Sequence, residues 1–229
     1  MRYYPVFLDI KGRPCVIIGA GVVAVRKAEG LLKAGAVVTV VGAVASRAMA
    51  TFARAGRVNL IRRRYKPGDL KGAYLVVSAT DSAAVNKAVY DEAVSLGIPV
   101  NCVDAPQYCT FIVPAVVDRD DLVIAVSTSG AAPALAARLR SEIEAVYGPE
   151  YAVFLEILGA VRRKLLKSRM RRDKKERVIR QLAASEIPAF IRGNDCVGID
   201  AILRSSVGAG YTLAALGVRL KAKGRRPVK

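Results

Sequence analysis

Gly19-Ala20-Gly21-Val22-Val23-Ala24 has the G-x-G-x-x-A spacing that lets a backbone approach a pyrophosphate. Gly19 permits a tight turn and Gly21 keeps the approach clear of a side chain. Ala24 allows a helix to pack closely on the strand before it. The amides that open the helix, from Val22 and Val23, would face the phosphates at its positive end. The same residues would also suit a tight strand-to-helix turn that binds nothing. Acid–base chemistry has a restricted cast, because the chain has no histidine. That excludes Ser-His-Asp triads, histidine-held metals and a histidine base. Asp, Glu, Lys, Tyr and Cys remain. Asp104 stands just past an apolar run at 98–103 and is the candidate acid–base residue; a turn-forming role before Ala105-Pro106 competes with it. Cys15, Cys102, Cys109 and Cys196 form no CxxC pair. No metal site or disulfide framework is expected, and the expected location is a reducing cytoplasm.

The hydrophobic pattern supplies a scaffold that would gather these residues. Apolar runs at 15–18, 37–41, 58–61, 74–78 and 98–103 read as strands. Helical patterns lie between them: one follows the glycines and ends at Gly35, one covers 44–55, and one covers 82–96. Such alternation predicts an α/β fold, a Rossmann-type doubly wound parallel sheet. Ligands of such sheets sit beyond the carboxyl ends of the strands. That rule gathers Gly19, Ala20, Gly21, Val22, Val23, Gly42, Ala43, Val44, Ala79, Thr80, Asp81 and Asp104 around one crevice. One expected residue is missing. An acid often holds the ribose hydroxyls at the end of the second strand, and residues 42–44 contain none. Backbone groups serve there instead, or the cofactor is NADP with Arg47 near the 2′-phosphate.

Further along, residues 118–129 read as a strand after an acidic turn, and a helix runs from Gly130 through Val146. Ser127, Thr128, Ser129 and Gly130 could contact an anion or substrate, or simply cap that helix. Beyond Glu150 the pattern is helical, with breaks at Ile187-Pro188 and Gly193-Asn194, further helices at 197–207 and 210–220, and a tail at 221–229 expected to fray. The predicted organisation is a nucleotide-binding domain at 1–112, a dimerisation and cleft region at 113–147, and a basic helical domain at 148–229. The net charge is +18, and residues 151–229 hold 19 of the 37 basic groups but 6 of the 19 acidic ones. The run at 162–180, RRKLLKSRMRRDKKERVIR, reads as a basic helix or a helix pair with a polar turn near 171–174. A solvated surface, attraction of a polyanionic substrate and nucleic-acid contact would each produce it. The run lacks the interleaved aromatics of a strand-stacking surface, so nucleic acid is not the expected partner. No stretch reaches the ~18 apolar residues of a membrane span, and residues 1–12 show no signal-peptide pattern. No membrane association is expected.

Several motifs carry a resemblance beyond the glycine loop. They are Tyr4-Pro5-Val6-Phe7-Leu8-Asp9, VIIGAGVVAVRK at 16–27, Val100-Asn101-Cys102-Val103-Asp104, Phe111-Ile112-Val113-Pro114-Ala115, Ala125-Val126-Ser127-Thr128-Ser129-Gly130 with Pro133, and Ala136-Ala137-Arg138-Leu139-Arg140. In this order and spacing the chain resembles the siroheme-synthase dehydrogenase family, strongly over residues 3–147. Ala20 replaces a glycine that relatives often have. The resemblance implies a stand-alone form that oxidises precorrin-2, a tetrapyrrole with eight carboxylates, to sirohydrochlorin with NAD as cofactor. It implies Asp104 as general base or as the group positioning a pyrrole N–H, and Asn101 with 127–130 as substrate contacts. It implies a homodimer, and it leaves open Fe²⁺ as a second substrate. Two other classes stay open on the residues alone: a nucleotide-sensing regulatory protein, and a basic nucleic-acid-binding protein.

Overall fold

The computed structural model describes residues 2–220. Five short strands form one parallel sheet: β1 (Pro14–Ile18), β2 (Val37–Val41), β3 (Asn59–Ile61), β4 (Leu75–Ser78) and β5 (Val100–Cys102), in the order β3-β2-β1-β4-β5. Their near-continuous apolar sequences suit strands covered on both faces. Alternate side chains go to opposite faces. Cys15 and Ile17 join a core with Ala24 and Ala28 of α1 (Val22–Lys33) and Met49 of α2 (Arg47–Arg54). Val16 and Ile18 join a second core with Val89 and Ala93 of α3 (Ala83–Ser95). The doubly wound parallel sheet expected from the sequence is present.

The register sets the site. Ile18 aligns with Val41 on one side and with Ser78 on the other. The residues that follow, Gly19, Gly42 and Ala79, therefore emerge at one level. The chain winds outward from β1 in both directions, which makes the β1/β4 boundary the switch point where a ligand crevice opens. Helix α2 starts at Arg47, later than the expected 44, because the Ser46 hydroxyl accepts from the Met49 N–H at 3.2 Å and caps it there.

The chain divides into two compact units. One holds the residues up to Val113 with Ser129–Ala131; the other holds Pro114–Thr128 and the residues from Ala132 on. The second unit begins with an antiparallel pair, β6 (Ala115–Arg119) and β7 (Leu122–Val126). The acidic turn and the strand after it agree with the sequence reading, and β6 ahead of the turn is additional. The Asp118 carboxylate accepts from the Asp120 N–H at 3.1 Å, and Asp120 takes a left-handed φ of 59°, so the acidic segment reverses the chain. Helix α4 (Pro133–Val146) is tied to this hairpin through Arg119, whose Nε donates to the Tyr147 carbonyl at 3.0 Å.

Among the described residues five helices follow in the second unit: α5 (Glu150–Leu166), α6 (Arg172–Ala183), α7 (Ile187–Gly193), α8 (Cys196–Val207) and α9 (Leu213–Leu216). Ile157, Leu165, Leu182, Ile187, Ile199 and Leu203 are fully buried among them. Buried Glu150 pairs with Arg192 at 2.9 Å and joins the start of α5 to α7. The basic run is a helix pair. Its break falls at 167–171, before the expected polar turn, where the Lys175 ammonium donates to the Ser168 carbonyl at 3.0 Å and closes the end of α5. The helix expected over 210–220 is the single turn α9, and the expected tail at 221–229 lies outside the described residues. No helix among the described residues is long and apolar enough to cross a membrane.

Candidate active site at the carboxyl end of the parallel sheet

The glycine loop is built as its spacing requires. Gly19 has φ +103°, and a Cβ there would lie 2.2 Å from the Ala79 carbonyl oxygen. Only glycine lets β1 turn this close to β4. Gly42 is closed in from the other side, where a Cβ would lie 2.7 Å from the Ala20 Cβ. Gly21 differs from both: a Cβ there would meet nothing within 4 Å. It is the N-cap of α1, and no side chain caps that helix end. No acidic residue lies in the first turn, and Val22 and Val23 are exposed. The first amides of α1 thus face open space with a positive helix end behind them. This cradle fits the pyrophosphate of a dinucleotide, with Gly19, Ala20, Gly21, Val22 and Val23 around it.

Across the switch point lies a cleft of about 380 Å³. Val23, Ala79, Thr80 and Asp104 line it together, with Asp81, Asn86, Gln107 and Tyr108 among the other lining residues. Asp104 sits at the apex of a tight turn. Val103 N–H donates to the Ser78 carbonyl at 2.8 Å, and Ala105 N–H donates to the Cys102 carbonyl at 3.3 Å. Between them Asp104 has φ 59°, a left-handed conformation that aspartate tolerates better than most residues. Cys109 braces the turn, its Sγ 3.2 Å from both the N and the O of Cys102. Burial raises the Cys109 thiol pKa above its ordinary value and raises that of Cys102 to about 11, so both stay protonated packing groups.

Two residues support this cleft without a signal in the sequence. Buried Ser78 donates to Asn86 Oδ1 at 2.7 Å, and Asn86 Nδ2 donates to the Thr80 carbonyl at 3.2 Å. Asn86 on α3 thereby fixes the end of β4. Lys27, on α1, is half-buried, and burial lowers its pKa.

The other candidates lie elsewhere. Ala43 and Val44 are exposed past the end of β2 and do not line the cleft. Arg47 is exposed at the start of α2. Asn101 is buried, and its amide donates to the Phe111 carbonyl at 3.1 Å, so it braces β5 against the following segment. In the 127–130 turn, Thr128 Oγ1 accepts from the Ala132 N–H at 3.2 Å, and no side chain caps α4 at its N-cap, Ala132. Ser129 and Gly130 have φ of 54° and 87°.

Residues 6–115 match a family described as putative NAD(P)-binding, and residues 119–145 match one described as sirohaem biosynthesis protein, central. The siroheme synthase of Methylobacillus flagellatus is 44% identical over 176 residues, which is 75% of this chain and 38% of that protein. The siroheme synthase of Methylococcus capsulatus is 42% identical over 188 residues, 80% of this chain and 40% of that protein.

The chain resembles siroheme synthases over about three quarters of its own length.

It spans about two fifths of the length of these relatives. A solved structure described as SirC, precorrin-2 dehydrogenase, is similar over 82% of this chain and 92% of its own, with a TM-score of 0.70 and 27% identity. The segment matched as putative NAD(P)-binding, residues 6–115, contains the glycine loop. The cleft lined by Asp104 opens beside that loop through the shared residue Val23.

Proposed function

We propose that this protein is a precorrin-2 dehydrogenase that uses NAD and yields sirohydrochlorin. The observation that carries the reading is the meeting of Val23, Ala79, Thr80 and Asp104 in one cleft at the switch point. The likeness to a precorrin-2 dehydrogenase over most of both chains supports it. Bound at the glycine loop, the cofactor supplies a hydride acceptor. The chain supplies the rest. The α1 amides hold the pyrophosphate, and the Gly42 turn leaves room for the adenosine half beside Ala43 and Val44. Thr80 and Val23 border the space where the reacting ring must lie. The Asp104 carboxylate accepts the proton lost as the substrate is oxidised, so that a hydride and a proton leave together and the balance closes. Cys102, Cys109, Ser78 and Asn86 keep that carboxylate in place by fixing the turn that carries it.

The substrate's carboxylates call for cationic partners, and a net charge of +18 makes them plentiful. Asn101 acts through its brace on β5, and 127–130 is the segment proposed to meet the substrate. The working form is a homodimer in a reducing cytoplasm. The four cysteines, all free, suit that compartment.

The test is purified protein with NAD⁺ and anaerobically prepared precorrin-2, followed by absorbance. One NADH per precorrin-2 consumed is the expected result. Cofactor binding without turnover would favour a nucleotide-sensing role and overturn this one. A parallel sample with Fe²⁺ reads whether the product is then converted to its iron chelate.

A further inference from the structure

Residues 42–68 hold six arginines, one lysine and no acid. They include the loops past the ends of β2 and β3, the side of the sheet proposed for the adenosine half of the cofactor. Three of the arginines are engaged. Arg54 donates to the Thr51 hydroxyl at 3.3 Å, Arg57 lies over the Phe52 ring at 4.2 Å, and Arg63 binds both carboxylate oxygens of Asp69. Among the described residues no hydrogen bond, ion pair or ring contact engages the side chains of Arg47, Arg62 or Arg64. Two of these flank one short loop. The Gly42 N–H donates to the Ile61 carbonyl at 3.1 Å, and the Ser46 N–H donates to the Ala20 carbonyl at 2.9 Å. The 42–46 loop is thus pinned between the end of β3 and the glycine loop. Arg47 follows it as the first residue of α2, a helix with no acid in its first turn. Arg62 leaves β3 at the level of Gly42, at the apex of a three-residue turn that the Arg63 N–H closes on the Ile61 carbonyl at 3.0 Å. Leu60 packs in the core that holds Met49 and Phe52 of α2, and Ile61 packs in the other core, so alternation sends Arg62 to the α2 side. Both guanidiniums are exposed. An acid at the end of β2 holds ribose hydroxyls and disfavours a 2′-phosphate, whereas an arginine nearby accommodates one. Here the acid is absent and two free guanidiniums border the loop.

We propose that Arg47 and Arg62 form a seat for the 2′-phosphate of NADP, so that the site takes NADP as well as NAD. This rests on the reading of the glycine loop as the dinucleotide cradle. Each guanidinium offers the phosphate charge-assisted hydrogen bonds in a planar fork, and the positive end of α2 adds to them.

The test is calorimetric titration of the full chain with NAD⁺ and with NADP⁺, at one salt concentration, for wild type, Arg47→Ala, Arg62→Ala and Arg62→Glu. Wild type should bind NADP⁺ within about tenfold of NAD⁺ or more tightly. Each alanine variant should lose about tenfold to a hundredfold in NADP⁺ affinity, the range for a hydrogen bond to a charged group. NAD⁺, with a hydroxyl at that position, should lose less than about threefold. Arg62→Glu should reject NADP⁺ most strongly, because it returns an acid to the seat. A wild type that binds NAD⁺ but takes NADP⁺ more than about tenfold more weakly would overturn the proposal. So would NADP⁺ affinity that neither alanine variant lowers, or equal losses for the two dinucleotides, which mark a role outside the 2′-phosphate. Binding of neither dinucleotide to wild type would instead overturn the cradle on which this proposal depends.

Discussion

Gly21→Asp should move stability and cofactor binding in opposite directions. Gly21 has φ −77° and ψ −170°, an extended backbone that any residue adopts. A Cβ there meets nothing within 4 Å. The substitution therefore brings neither strain nor overlap. It puts a carboxylate at the N-cap of α1, which now has no side-chain cap and no acid in its first turn. Aspartate is a better N-cap than glycine by a few tenths of a kcal/mol, and its charge adds about 0.3–1 kcal/mol at the positive helix end. The cofactor-free protein should melt slightly higher. The same carboxylate occupies the space that the cradle offers to a pyrophosphate. Like charges ~4 Å apart repel by about 4 kcal/mol at an effective dielectric of ~20. Even with half of that screened, affinity should fall by roughly thirtyfold or more at 1.4 kcal/mol per decade. Differential scanning calorimetry without cofactor and isothermal titration with NAD⁺ read the two effects separately. Affinity within about threefold of wild type would refute the site. A clearly lower melting temperature would refute the geometry. Gly19→Ala is the control, since its φ of +103° and a Cβ 2.2 Å from the Ala79 carbonyl predict damage to the cofactor-free fold itself.

Asp104→Ala should keep fold and NAD⁺ binding while losing roughly 10²–10⁴-fold in turnover, the usual cost of a positioned acid or base; Asp104→Asn separates proton acceptance from orientation, because near-full activity would leave only orientation. Asp69→Asn should lower the melting temperature, because Asp69 accepts two hydrogen bonds from Arg63, at 2.6 and 2.7 Å. The Arg63 guanidinium holds the Asp69 carboxyl below its ordinary range, so this contribution is complete above that range and is lost as pH falls through the depressed folded value. The melting temperature of wild type should thus drop toward that of the variant in acid, and a gap that survives in strong acid would contradict the assignment. Light scattering at working concentration should find a dimer; a fully active monomer would refute the proposed assembly.

How far the sequence could be read followed from what each signal depends on. The strands of the parallel sheet are local apolar runs that both faces must bury, and all five match within two residues at each end. The acidic turn and the strand after it, β7, are legible in the sequence, whereas β6 ahead of the turn is not, because the segment lacks the Asn-Gly or Asp-Gly pair that marks a tight hairpin. The helix break in the basic run came early because Lys175 reaches back to the end of α5, a contact nine residues long that no local pattern encodes.

The cleft shows the same division. The switch-point rule needs only strand order, and it picked Gly19, Ala79 and Asp104 from one dimension. It did not pick Ser78, Asn86 or Lys27. Asn86 sits in a helix where an exposed asparagine would be unremarked, and it is decisive because α3 packs it 2.7 Å from the Ser78 hydroxyl. Lys27 is one of many cations in a chain of net charge +18. What separates it from the rest is partial burial, set by Ala24 and Ala28, two small residues whose packing orients the helix. Helical spacing puts Val23 and Lys27 on one face. Only the packed sheet decides that Val23 lines one cleft with Asp104.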